Sequence, residues 1–117
     1  MEKLKIAVPT KAYAGLEDIV SEVFGKAKTF TVVDVVDGQV RKVHVIDNPA
    51  ASYDYGSGPI AAKTLADLNV DLVIATELGP GASGLLKHHG ITQISVKSGT
   101  RVTDAIRESF RAESKKK

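Results

Sequence analysis

The chain predicts a single-domain α/β fold with a mixed five-stranded sheet and helices on both faces. Three observations carry this. At 117 residues the chain supplies one core and not two. A β-branched run, Thr29–Val36, leads straight into Asp37-Gly38, a strong hairpin signal, and then into a second β-rich run. Further along, short apolar runs alternate with stretches at helical spacing, the pattern of αβ units on a parallel sheet.

Taken in order, Leu4–Val8 reads as a buried central strand that Pro9-Thr10 ends. Lys11–Ala27 has no clean period, although Leu16–Val20 suits a helical turn, and a connection this long suggests function. Val40–Asp47 returns antiparallel to Thr29–Val36. Its Val43 and Val45 face one way and Lys42 and His44 the other, so His44 is expected on a solvated face. Asn48-Pro49 opens a loop to about Gly56, in which Tyr53 and Tyr55 are expected to cover the core. Ile60, Ala61, Thr64, Leu65 and Leu68 fall at helical spacing.

The short run in Asp71–Ala75 reads as a buried parallel strand. Pro80 suits the first turn of the next helix and Gly90 its stop. Ile91–Val96 is the fifth strand. Thr100 is the expected N-cap of a last helix with Val102, Ala105, Ile106 and Phe110 on its apolar stripe. The order is therefore β-β-β-α-β-α-β-α, with the second strand antiparallel to the rest. Residues 1–112 are expected to form the domain and 113–117 a basic, disordered tail.

Composition excludes several classes. The formal net charge of +2 is too close to balance to indicate nucleic acid, since the last three lysines alone reverse its sign. With no cysteine, disulfides and thiolate-held metal sites are ruled out for this chain. No apolar run approaches the ~20 residues of a membrane span. Without a signal peptide, a soluble cytoplasmic protein is the expectation.

The candidate site lies where the glycine-rich breaks Tyr55-Gly56-Ser57-Gly58-Pro59 and Glu77-Leu78-Gly79-Pro80-Gly81 each open a helix. A helix start leaves N–H groups unpaired at the positive end of the dipole, and both features favour an anion. Open α/β sheets bind ligands at the carboxyl ends of their strands. Thr10, Thr76 and Glu77 belong there. Glu77 also reads as a charged loop residue or as an ion-pair partner for Lys11 or Lys26. Gly56-x-Gly58-x-x-Ala61 also fits a relaxed dinucleotide fingerprint, but a loop separates it from the preceding strand and Pro59 sits inside it. Strand Leu4–Val8 carries no carboxylate, which argues against a two-metal nuclease.

Several pieces in order resemble the nitrogenase iron–molybdenum cofactor accessory family. They are Ile6–Thr10, Ser21–Ala27, Phe30–Asp34, Asn48-Pro49, Gly56–Pro59, Ala66–Leu68 and Asp71–Gly81, spread over about Leu4 to Phe110. The resemblance implies a ribonuclease-H-like fold and a non-enzymatic carrier of an iron–molybdenum or iron–sulfur type cofactor. It implies a small anionic ligand or metal cofactor as partner, and neither nucleic acid nor membrane. The expected cofactor-binding residues are Thr10, Ser21, Phe24, Gly25, Tyr55, Gly56, Ser57, Gly58, Glu77, Gly79 and Gly81, with Ser21, Phe24 and Gly25 as a lid. No residue is expected to ligate a metal. Family members often carry histidine where this chain has Val23 and Tyr55, and Val23 cannot ligate. The alternatives are a regulatory or protein-interaction module of the same fold without a metal cofactor, and a nucleotide-binding domain.

Overall fold

The computed structural model describes residues 2–115, with side chains as far as Phe110. The strands are β1 (Lys3–Thr10), β2 (Thr29–Val36), β3 (Gln39–Asp47), β4 (Leu72–Ala75) and β5 (Thr92–Ser95). The helices are α1 (Ser57–Asp67), α2 (Pro80–His88) and α3 (Val102–Lys115). Two 3₁₀ turns, Gly15–Glu17 and Phe24–Lys26, punctuate the connection from β1 to β2. The sheet order is β3-β2-β1-β4-β5. As the sequence predicts, β2 is antiparallel to β1 and β3, while β1, β4 and β5 run parallel. α3 continues to Lys115, past the expected start of the tail at 113, and residues 116 and 117 lie outside the described residues.

The hairpin forms because Asp37 and Gly38 both take positive φ, 51° and 81°, which matches the twist of the flanking strands. β1 continues through Pro9 to Thr10. Alternate residues of the central strands feed two cores. Ala7, Phe30, Val73 and Ala75 pack with Leu65 of α1 and Leu86 of α2 on one face. Ile6, Val8, Val33, Leu72 and Ile74 pack with Val102, Ala105 and Ile106 of α3 on the other. Phe24 and Phe30 are buried with ring centroids 5.4 Å apart. Truncating either to alanine would cost about 3–5 kcal/mol.

β3 departs from the expected alternation. Asp34 faces Lys42 but Val35 faces Val40, so Arg41 is an extra residue in a β-bulge. Nor does β3 have a wet face along its second half. His44 is half-buried, with its Nδ1 buried and unpartnered, because cores lie on both faces there. Ile46 packs on the α1 side and Val43 on the α3 side.

The β1–β2 connection is ordered by Asp18. Its buried carboxylate accepts from the N–H groups of Ala12 (3.1 Å), Ala14 (3.2 Å) and Ile19 (2.7 Å). Its carbonyl accepts from Val102 N–H at 2.9 Å, tying the connection to the start of α3. Thr100 is not the N-cap: its hydroxyl donates to the Lys97 carbonyl at 2.6 Å instead.

Candidate functional site

β1 and β4 are parallel neighbours, with Ile6 opposite Leu72 and Ala7 opposite Val73. Their carboxyl ends therefore open at the same edge of the sheet. An isolated parallel bridge between Val23 and Glu77 then brings the Phe24–Lys26 turn beside the segment leading to α2. Asn48 fixes the turn from the other side. Its Nδ2 donates to the carbonyls of Gly25 (3.1 Å) and Ala27 (2.9 Å), and its Oδ1 accepts from Ala50 N–H (3.0 Å). Lys26 Nζ donates to the Tyr53 carbonyl.

These contacts enclose a pocket of about 270 Å³. Val23, Phe24 and Gly25 form one side, Gly56–Pro59 a second, and Glu77, Gly79, Gly81 and Ala82 the third. Glycine is required at specific points of this wall. A Cβ on Gly25 would collide with Ser57 and Gly58. Gly56 caps α1 in the left-handed region, φ 73°, where a side chain is strained. The two helix starts also touch each other. A Cβ on Gly58 would stand 3.3 Å from the Ala82 methyl, and one on Gly81 3.2 Å from the Pro59 ring.

The electrostatics follow from the caps. Neither α1 nor α2 has a side-chain cap or an acidic residue in its first turn. Hydrogen bonding along α1 begins with Ile60 N–H to Gly56 (3.1 Å) and along α2 with Ser83 N–H to Gly79 (3.0 Å). The amides of Ser57, Gly58, Gly81 and Ala82 precede those bonds, and all four residues line the pocket. Pro59 and Pro80 have no N–H to leave unpaired. Two positive helix ends thus meet in one cavity, each favouring an anion by about 0.3–1 kcal/mol when exposed.

Of the residues singled out in the sequence, Phe24, Gly25, Gly56, Ser57, Gly58, Glu77, Gly79 and Gly81 come together around the pocket. Thr10, Ser21 and Tyr55 do not line it. Thr10 is fully buried, its hydroxyl 2.6 Å from that of Thr29 and 3.1 Å from that of Thr31. Ser21 joins the β1 edge through its N–H to the Pro9 carbonyl, 2.8 Å. Tyr55 is 90% exposed and Tyr53 51%, so neither covers the core as expected. Glu77 pairs with neither lysine considered for it: Lys11 pairs with Glu22 at 3.6 Å and Lys26 with the Tyr53 carbonyl. Sequence reasoning missed Ala82, whose small size admits Gly58. It looks like any core alanine in the sequence.

A wider groove of about 530 Å³ lies along α3, lined by Arg101, Asp104 and Arg107 among others. Both arginines are already engaged, Arg101 with Glu17 at 2.9 Å and Arg107 with Asp104 at 3.3 Å. The pocket at the strand ends is the better candidate.

The fold and the site together define a small single-domain α/β protein with a pocket at its strand ends, between two uncapped helix starts. The chain belongs to the dinitrogenase iron-molybdenum cofactor family, whose sequence profile matches residues 2–111. Among its relatives is an uncharacterized protein of Methanocaldococcus jannaschii, 28% identical over 88 residues, spanning 75% of this chain and 70% of that one. The high-resolution structure of the apo form of the orange protein from Desulfovibrio gigas is similar, with TM-score 0.81 and 28% identity over 93% of this chain and 88% of that one. So is a Thermotoga protein solved by NMR, with TM-score 0.74 and 28% identity over 92% and 88% of the respective chains.

The donor set can be tested against the group for which the family is named. Soft thiolate and imidazole donors suit iron–sulfur and related metal centres. The chain has no cysteine, and none of its three histidines lines the pocket. Among the described residues, the only polar side chains on its wall are the Ser57 hydroxyl and the Glu77 carboxylate. Among the described residues no group of three or more His, Cys, Asp or Glu could hold a metal ion. These residues do not fit side-chain ligation of an iron–molybdenum cofactor.

Proposed function

We propose that this chain is a non-enzymatic carrier of a small anionic ligand, held between the Phe24–Lys26 turn and the starts of α1 and α2. The observation that carries this reading is the convergence of two uncapped helix N-termini, contacting through Gly58–Ala82 and Gly81–Pro59, on one pocket. Backbone amides supply the anion contacts, and the apolar wall of Val23, Phe24, Pro59 and Ala82 limits water around the ligand. Membership of a cofactor-associated family supports a carrier role. Among the described residues no hydrogen bond joins the Ser57 hydroxyl to the Glu77 carboxylate, the contact a nucleophile and its base would make, and this supports a protein that holds its ligand and does not transform it. A soluble cytoplasmic setting goes with this reading.

Amide chemical-shift mapping during titration with molybdate and with phosphate tests it. Shifts concentrated at Gly56–Gly58 and Gly79–Ala82 are expected. Binding of neither anion, or shifts confined to other surfaces, would refute the reading.

A second reading is a protein-interaction module of the same fold without a metal cofactor. It is favoured by Val23, Tyr53 and Tyr55, large side chains exposed on loops around the pocket.

A further inference from the structure

At the opposite end of β1 from the pocket lies a second cleft, of about 440 Å³. Lys3 and Lys5 of β1, Asp34 of β2, and Arg41 and Lys42 of β3 line it, with Asp71 at the start of β4. Lys5 Nζ donates to the Leu68 carbonyl at 3.3 Å, so the cleft begins where α1 stops. Strand register fixes its floor. Asp34 stands opposite Lys5 on one side and Lys42 on the other, and residues directly opposite share a face. Lys3, two residues before Lys5, shares that face as well. Strict alternation would send Arg41 to the other face. The bulge suspends the alternation, and Arg41 lines the cleft beside Lys42.

The charges of this cleft are left open. Lys11, Lys63, Arg101 and Arg107 are each paired with a carboxylate elsewhere on the surface. Among the described residues no such pair forms for Lys3, Lys5, Arg41 or Lys42, although Asp34 lies between them. The Asp71 carboxylate is committed to the Lys5 N–H at 2.8 Å. Asp34 is half-buried and accepts no side-chain hydrogen bond among the described residues. Cations crowded in this way repel one another, and a bound anion relieves the repulsion.

Their layout also constrains the shape of that anion. The β1 pair and the β3 pair are two strand spacings apart, about 10 Å, with a carboxylate between them. A compact charge at the centre would meet Asp34. A ligand charged at both ends and hydroxylated in the middle meets a cation pair at each end and an acceptor between. The Arg41 fork suits phosphate oxygens, and the volume is that of a small-molecule site. We propose that this cleft binds a small polyol carrying a phosphate at each end, a sugar bisphosphate in kind. Lys3 and Lys5 take one phosphate, Arg41 and Lys42 the other, and a hydroxyl between them donates to Asp34. The site is separate from the pocket at the strand ends and does not depend on the carrier reading.

Calorimetric titration of the full chain with fructose 1,6-bisphosphate, fructose 6-phosphate and pyrophosphate tests each part. The bisphosphate is expected to bind at least about tenfold more tightly than either of the others. Its amide shifts should fall at Lys3–Lys5, Asp34 and Arg41-Lys42. Lys42 is exposed, so Lys42→Gln should fold normally and lose at least about fivefold in bisphosphate affinity. Lys97→Gln makes the same charge change outside the cleft and should lose less than about twofold. Asp34→Asn removes the central charge and should narrow the preference for bisphosphate over pyrophosphate by at least about threefold.

Equal or tighter binding of the monophosphate or of pyrophosphate would overturn the proposal. So would equal losses in Lys42→Gln and Lys97→Gln, or an unchanged preference in Asp34→Asn. Failure of the bisphosphate to bind, or shifts confined to Gly56–Gly58 and Gly79–Ala82, would overturn it as well.

Discussion

Gly25 and Gly58 meet backbone to backbone: a methyl group on the Gly25 Cα would lie 2.6 Å from the Gly58 amide nitrogen. It would also lie 2.7 Å from Ser57 Oγ and 2.8 Å from the Ser57 carbonyl carbon. Two of these three obstacles are backbone, so no rotamer change relieves them. Gly25→Ala should push the Phe24–Lys26 turn off α1 and destabilise the fold by about 1–3 kcal/mol. Urea denaturation reads this directly. An unchanged midpoint and slope would mean that the two segments are not in contact in solution.

Asn48 is the other half of that arrangement. It is buried and uses both ends of its amide, donating to Gly25 and Ala27 and accepting from Ala50. Asn48→Ala leaves two carbonyls and one N–H without their partner, for a loss of about 2–4 kcal/mol. Asn48→Asp keeps the shape and the acceptor but cannot donate to the carbonyls, so it should be similarly damaging. Thermal melts of both variants decide this. A tolerated Asn48→Asp would show that the two donated bonds contribute little.

Glu77 places the pocket's one carboxylate beside the two positive helix ends. Against an anionic ligand this charge is repulsive. Glu77→Gln should strengthen anion binding by about 0.3–1 kcal/mol, roughly two- to fivefold at low salt, with the gain fading as salt is added. Titrations at two ionic strengths measure it. A weakened Glu77→Gln complex would instead make the carboxylate a contact of the ligand.

Tyr13 donates a hydrogen bond to the Asp47 carboxylate. Its phenol is raised above the ordinary value, chiefly by the hydrogen bond it donates to Asp47, then by desolvation, and then by the nearness of the Asp47 charge. Lys28 stands 5.4 Å from the ring centroid. Folding thus favours the protonated phenol. The associated stability is fully present below about pH 10, the unfolded value, and is lost as pH rises through the raised folded value. Absorbance titration should show a late-ionising tyrosine phase that Tyr13→Phe abolishes. Absence of that late phase in the parent protein would contradict the Tyr13–Asp47 bond.

The sequence reveals features that depend on near neighbours. Asp37-Gly38 declares a hairpin because both residues accept positive φ, and Leu72-Val73-Ile74 declares a strand buried on both faces. The glycines of the pocket were legible for a related reason: a missing side chain is informative wherever backbone approaches backbone. What stayed hidden depends on partners far along the chain. Asp18 gives no sign that it organises its own connection, or that its carbonyl receives Val102. Thr10 stands at a strand end, where ligands bind, and only the positions of Thr29 and Thr31 show its hydroxyl to be committed elsewhere. Tyr53 and Tyr55 are large enough to suggest burial. Their exposure depends on the path of the loop, which local composition does not determine.

The bulge at Arg41 also bears on how this protein behaves in a crowded solution. A sheet with two open borders invites other chains to extend it, and such growth ends in fibres. Here β5 offers only four residues along one border. β3 offers nine along the other, but Arg41 interrupts the ladder and Lys42 stands next to it. An incoming strand therefore meets a kink and two positive charges, not a flat template. Val40 and Val43 already stand opposite Val35 and Val33, so deleting Arg41 would close the ladder between them and leave a straight, sticky border. The residue that looks like a flaw in the hairpin thus helps keep the folded chain from polymerising.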